Sequence, residues 1–586
     1  MLKTAAGCAG LLLVLAGCSG SDSAGADQGR ARQGGTLRVV GSSDVEHLDT
    51  ASVNSVGTYG LTRLFARTLF GNRASDDFTE SAAVRPDVAA AMPTRENGGV
   101  SADGRTYRVR LRAGVRWNTS PAREVTAADF VRGFKRLCNP AAPSSSAGYF
   151  AGTLRGMTAY CAGFAKVDAR NAAAIAAYQN EHDVPGVRAA DARTLVFRLE
   201  RPASDFLHLL TLQATAAAPA EYDRLVPDSP DFRRRTLANG PYRVAEYRPG
   251  QSITLAHNPA WDAATDPLRS RHVARVSITF GQDAPEAVQQ QIESGAADLA
   301  WDQPVPASAL SRVRDDPRFA IRRAPSTSPF LVFNLRSPNN DGALAKREVR
   351  RALQYAVDRA TLVKIVGGPS VARPLYTVIP PGNVGYAPST VSATPGDAGD
   401  PAECRRRLAA AGHPSLKLTF PYRTNSVHRR IAESLAANLK ACGVETTLRA
   451  DAGGTFYRTT LMDPSQARAG RWDIAAPGWN PDWYGNNGRS TIQPLLDGRA
   501  RTRSTTNFGG YDNPRVNALI DRALNARTAP AAASAWQAAD REIIDDAALV
   551  PLLDRAHTLF RSSRVRNAKF LPTAATYDYS LLWLAD

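Results

Sequence analysis

Between Tyr107 and Leu111 apolar and polar positions alternate strictly, with Arg108 and Arg110 separating Tyr107, Val109 and Leu111. That two-residue period is the mark of a strand with one wet face. Ala113-Gly114 supplies a turn, and Val115 and Trp117 resume the alternation, which predicts a hairpin. Directly afterwards Thr126-Ala-Ala-Asp129 caps a helix whose Phe130, Phe134 and Leu137 share one stripe. Val349, Leu353, Ala356, Ala360 and Val363 keep helical spacing up to Gly367-Gly368, predicting one continuous helix. Val427, Ile431, Leu435, Leu439 and Cys442 do the same before Gly443. This second helix lies between the strand-like runs Leu416–Phe420 and Val444–Leu448, so the unit reads as strand–helix–strand, the parallel crossover of an α/β domain. Order begins near Gly34-Gly35 with the strand-and-turn signal of Thr36–Val40 and Gly41-Ser-Ser. Residues 373–402, rich in Pro, Gly, Ala and Ser, predict a long surface loop.

Length changes this picture from one domain to several: 586 residues exceed one ordinary core and fit about three or four domains. The formal charge of +17 invites a nucleic-acid partner. Its arginines are instead spread along the chain and alternate with apolar residues, as on solvated strand faces, and no basic run is longer than Arg233–Arg235 or Arg405–Arg407. Nucleic acid is therefore not the expected partner. At the start, Lys3, the apolar run Ala5–Ala16 and the following Ser/Gly/Asp-rich stretch have the layout of an export signal, too short for the roughly 20 residues of a spanning helix.

Of the six cysteines, Cys8 and Cys18 fall in that leader. The other four, Cys138, Cys161, Cys404 and Cys442, suit two disulfides in an oxidising compartment; three connectivities are open, and neighbourhood in sequence favours Cys138–Cys161 with Cys404–Cys442. No Cys or His spacing suits zinc, and the eight histidines are scattered. Dinucleotide and P-loop glycine motifs, HExxH and GxSxG are all missing. No cofactor, metal or catalytic residue is expected, and a binding protein is favoured over an enzyme.

An ordered series of stretches resembles the family 5 extracytoplasmic solute-binding proteins of ATP-binding-cassette (ABC) importers, typified by oligopeptide- and dipeptide-binding lipoproteins. Gly34–Val40 leads to His47-Leu-Asp49; the most specific part runs from Pro86-Asp87 through Ser101–Tyr107 and Leu111–Trp117 to Val125–Val131. Asn239-Gly-Pro-Tyr242, Asn258-Pro259, Gln291–Leu299, Phe333-Asn334, Val349–Arg359, Ile379–Gly382, Trp472-Asp473 and Ala547–Leu552 follow in order. The resemblance implies an α/β, two-lobed clamshell of the periplasmic-binding-protein type with an extra domain inserted in the first lobe, closing on its solute by a hinge. It divides the chain into a signal peptide (1–17), a lipidated Cys18 with a tether (18–33), lobe I (34–75, 203–325, 551–586), the inserted domain (76–202) and lobe II (326–550).

Leu15-Ala16-Gly17-Cys18 is similar to the bacterial lipoprotein signal, which implies acylation of Cys18 and anchoring to the outer face of the cell membrane. By the same resemblance the chain is a monomeric receptor delivering peptides to permease and ATPase subunits. Asn54, Ser55 and Val56 correspond to a segment touching ligand backbone, and Tyr149 lies near a ligand-contacting tyrosine. Gly478–Gly485 brings Trp479, Asp482 and Trp483 to the cleft, with Asp482 matching the aspartate that pairs with a peptide's α-ammonium. Two alternatives stay open: an oligosaccharide ligand, which tryptophans also suit, and a peptide-sensing lipoprotein without transport.

Overall fold

Leu37 and Val39, on one face of the strand Thr36–Val40, are fully shielded from solvent and anchor a five-stranded mixed sheet. Thr36–Val40 runs parallel to Arg275–Thr279 on one side and Leu299–Ala300 on the other. Ser252–His257 and then Tyr242–Arg248 extend the sheet antiparallel. The register stacks Leu37 on Val276 on Leu255, and Val39 on Ile278 on Ile253. Cross-strand rows of this kind hold a sheet together, since each buried aliphatic side chain contributes roughly 1.5–3 kcal/mol. Residues Val565, Tyr577 and Leu582 near the end of the chain complete the same core. This computed structural model describes residues 30–451, 456–499, 505–526 and 528–586; Cys8 and Cys18 lie outside them.

A second core, from Leu69 to Ala217, is built on the strands Thr106–Arg110, Thr194–Arg198 and Val187–Asp191. Here the expected hairpin is corrected. Thr106–Arg110 pairs antiparallel with Thr194–Arg198, matching Tyr107 to Phe197 and Val109 to Leu195. Val115 and Trp117 instead fold against residues 123–125, with Trp117 N donating to Arg123 O at 2.9 Å and Val125 N to Val115 O at 2.8 Å. The cause is apolar complementarity: Leu195 and Phe197 bury one face of the strand, whereas Trp117 is drawn to the helix Ala127–Arg136, where its indole N–H donates to Asp129 at 3.2 Å. That helix begins with the expected capping box, Thr126 with Asp129.

The third part carries the predicted crossover, Leu416–Arg423 and Val444–Asp451 parallel across the helix Ser426–Ala441. Gly443 stops the helix at φ +86°, a conformation open to glycine. The expected continuous helix after Val349 is two: Arg347–Leu353 and Arg359–Ile365. Asp358 breaks it by turning extended and accepting from Thr361 N at 2.8 Å, which caps the second piece. The break turns Arg359 inward, where it stacks 4.3 Å from the ring centre of Tyr376. Nor is all of 373–402 a surface loop: its first part turns inward, whereas 381–402 stays largely at the surface. Leu375, Val378 and Ile379 are buried, and the backbone N–H groups of Val378 and Ile379 donate to Asp540, on the helix Ala529–Asp545, at 2.9 and 3.1 Å. Irregular backbone is tolerated inside because that carboxylate satisfies it; burial pushes Asp540 up to about 7.

Two pairs of segments join these bodies: Phe319–Arg322 with His557–Phe560, and Phe330–Phe333 with Leu549–Pro551, both antiparallel. Cys138 is bonded to Cys161 and Cys404 to Cys442, with Cα separations of 5.2 and 5.7 Å. Closing loops of 23 and 38 residues stabilises the fold by roughly 3–4 kcal/mol each in the chain-entropy account.

Candidate ligand-binding cleft

Segments distant in sequence enclose a cavity of about 2640 Å³. Ordinary small-molecule pockets run to roughly 1,000 Å³, so this one suits an extended solute with its water. Asn54, Ser55, Val56 and Tyr149 all line it. Ser55 accepts from Thr58 N and so caps the helix Val56–Thr62. Glu46 accepts from the backbone N–H groups of Asn54 and Ser55 at 3.2 and 2.8 Å, and Ser145 Oγ donates to the Asn54 side chain at 2.6 Å. These two backbone donors are thus engaged by Glu46.

Tyr149, on the short helix Ala147–Ala151, donates its hydroxyl to Asp482 Oδ2 at 2.6 Å. Asp482 has no ion-pair partner among the described residues, and burial pushes its carboxyl up to about 7 against the opposing hydrogen bond from Tyr149. Tyr59 is driven well above its ordinary range by burial, by Asp482 and by Glu46. Beside Asp482 a second void of about 30 Å³ is lined by Tyr59, Arg63, Gln213 and Ala574, with Arg63 paired to Asp578 at 3.0 Å. A water-sized group needs roughly 10–15 Å³, so this void holds one water or one ammonium.

The two tryptophans of the loop depart from expectation. Trp483 is 1% exposed and belongs to the core of residues 69–217. Its ring meets Tyr149 edge-on at 5.2 Å and its N–H donates to Asn486 O. It therefore supports Tyr149 and does not face solute. Trp479 pairs its backbone with Thr327 and donates its N–H to Ser490 O at 2.8 Å, packing against the core around Phe330 and Trp536. Neither ring lines the large cavity. Arg489 fastens the loop by donating to Tyr149 O at 2.8 Å and Thr153 Oγ1 at 3.0 Å.

Sequence reasoning missed the cationic side of the cavity, formed by Arg423, His428, Arg555 and His557. One signal was available: Arg423 ends a strand of the crossover unit, and ligands of open α/β sheets bind at the carboxyl ends of strands.

A family model described as bacterial extracellular solute-binding proteins, family 5 middle, matches residues 83–495. The probable ABC transporter periplasmic-binding protein SapA of Escherichia coli (strain K12) is 26% identical over 512 residues, 85% of each chain. The periplasmic oligopeptide-binding protein OppA of Salmonella typhimurium is 25% identical over 461 residues, 77% of this chain and 76% of its own. Among solved structures, the clavulanic acid biosynthesis oligopeptide binding protein 2 superposes with a TM-score of 0.79 at 28% identity, covering 95% of this chain and 96% of its own. The Escherichia coli murein tripeptide binding protein MppA gives 0.76 at 20% identity over 95% and 99%, which speaks to the fold. The family match takes in Tyr149, Arg423 and Asp482, and runs through most of the chain. The protein therefore belongs to the bacterial extracellular solute-binding proteins of family 5, two-lobed α/β receptors that are not enzymes.

Proposed function

We propose that the protein captures peptides, oligopeptides foremost, between its lobes and delivers them to the permease and ATPase subunits of an ABC importer. One observation carries the reading: Asp482, an acid with no ion-pair partner among the described residues, borders an ammonium-sized void beside a cavity roomy enough for a peptide. A peptide α-ammonium supplies the missing charge. The similarity to the oligopeptide-binding protein OppA and to the clavulanic acid biosynthesis oligopeptide binding protein 2 supports this. On this reading lobe I comprises 34–75, 203–325 and 551–586, the inserted domain 76–202 and lobe II 326–550, with the paired segments at 319–333 and 549–560 as the hinge. Cys18 carries the lipid that holds the receptor at the outer face of the membrane; incorporation of a fatty-acid probe, lost in Cys18→Ala and kept in Cys8→Ala, tests that assignment.

Native mass spectrometry of gently purified protein is expected to show a heterogeneous peptide load released by acid. A uniform carbohydrate load overturns the reading in favour of a sugar receptor. Uptake of labelled peptide by cells lacking the protein distinguishes import, which falls, from sensing, which leaves uptake intact.

A further inference from the structure

The large cavity is walled on one side by four basic side chains from separate elements. Arg423 ends the strand Leu416–Arg423, and His428 lies in the first turn of the helix Ser426–Ala441. Arg555 ends Leu553–Arg555, and His557 opens His557–Phe560. All four line the same space. Arg423 Nη2 lies 3.3 Å from His428 Nδ1, its guanidinium faces Tyr457 at 5.4 Å, and its Nε is buried without a partner. His557 Nε2 is likewise buried and unpartnered. Arg555 makes no hydrogen bond or ion pair among the described residues.

The acids near these groups have other partners. Asp451, opposite Arg423 in the sheet register, accepts from Arg449 at 3.1 Å and Thr460 at 2.6 Å. Asp554 pairs with Arg373 at 2.8 Å, and Asp76 takes Arg322, which stands opposite His557, at 3.1 Å and Lys569 at 2.6 Å. Arg430 and Arg458 add positive charge to the same cavity wall. The electrostatics register this imbalance. Burial and then Arg423 push Arg555 down to about 10, so it remains charged at neutral pH. Burial, Arg423 and Arg555 hold His428 well below its ordinary value, and burial with Arg555 pushes His557 down to about 4. Both imidazoles are therefore uncharged at neutral pH.

Two part-buried guanidiniums face one cavity with no acid paired to either among the described residues, and a single carboxylate neutralises only one of them. We infer that this wall receives a dianionic group of the solute, two carboxylates on one residue or a phosphomonoester, making the protein a receptor selective for acidic peptides. The inference rests on the peptide-receptor reading and adds the ligand's charge class to it. The planar fork of each arginine matches an oxyanion pair, and the N-terminus of Ser426–Ala441 contributes its positive end. Occupancy supplies the acid these histidines lack, so binding draws protons onto them.

Calorimetry on the full chain with peptides of one length ending in Glu, Gln, Lys or phosphoserine tests it. The Glu peptide is expected to bind at least tenfold more tightly than the Gln peptide and a hundredfold more tightly than the Lys peptide. In Arg555→Gln the Glu/Gln ratio is expected to fall to about one, and the thermal midpoint to hold or rise, because one of two repelling cations is gone. A phosphoserine peptide that outbinds the Glu peptide assigns the site to phosphate; the reverse assigns it to dicarboxylate. Equal binding of all four overturns the inference and leaves the peptide reading standing. If no peptide binds, glutarate titrated into histidine-labelled protein decides by NMR. A rise in the titration midpoints of His428 and His557 upholds the dianion site while the peptide reading falls, and unmoved midpoints overturn both.

Discussion

Asp482→Asn is expected to weaken a free-amine peptide by roughly 2–5 kcal/mol, because it strands an ammonium in a site closed to water. An N-acetylated peptide, which brings no charge, is expected to lose far less, and calorimetry on two proteins and two ligands isolates the coupling. Equal losses for both peptides reduce Asp482 to a support for its loop. The pH dependence has a definite sign. With its carboxyl pushed up to about 7 by burial, Asp482 is protonated in acid, so affinity for the ammonium falls as pH drops through about 7. Stability moves the other way. The folded state holds a proton on Asp482 that the unfolded chain releases near pH 4, so this residue's contribution is fully present below about 4 and is lost as pH rises to about 7. At ~1.4 kcal/mol for each unit, the loss is at most about 4 kcal/mol. Asp482→Asn is therefore expected to match wild type in urea denaturation at pH 4 and to exceed it at pH 8; identical curves at both values overturn the account.

Asp87→Ala is expected to be the most damaging substitution for stability, at about 3–5 kcal/mol. Its carboxylate accepts from Arg67 Nε at 2.9 Å and from Arg269, and Asp266 completes the group, 3.0 Å from Arg269 and 3.6 Å from Arg67. All four side chains are fully buried. Two acids and two bases make a neutral set that ties the start of the second core to the five-stranded sheet body; removal of one acid leaves an uncompensated cation inside. Burial alone would raise Asp266, yet Arg269 and Arg67 hold it far below the ordinary carboxylate range. Its contribution is present above about pH 4 and is lost as pH falls below that. Urea midpoints of Asp87→Ala and Asp87→Asn measure the cost, and a variant within about 0.5 kcal/mol of wild type shows the network to be dispensable.

Elements defined by local periodicity were legible in the sequence. The capped helix Ala127–Arg136 and the unit Leu416–Asp451 follow from side-chain spacing and from end signals within a few residues. The ordered motifs also reached the family, since backbone turns and loop spacing are written in consecutive residues. Tertiary structure decided the rest. Whether Thr106–Arg110 pairs with its neighbour or with Thr194–Arg198 depends on which surface buries more, and a two-residue period is the same for both. Residues 375–379 turn inward because Asp540, far along the chain, satisfies the backbone of Val378 and Ile379. Trp483 sits in a core instead of lining the large cavity because Tyr149 and the core of residues 69–217 enclose it. The basic wall draws Arg423 and His428 together with Arg555 and His557 from segments more than a hundred residues apart. Each is an ordinary surface residue by sequence, and only the fold, by bringing them to one cavity without an acid paired to them among the described residues, gives them a common charge to be answered by a ligand.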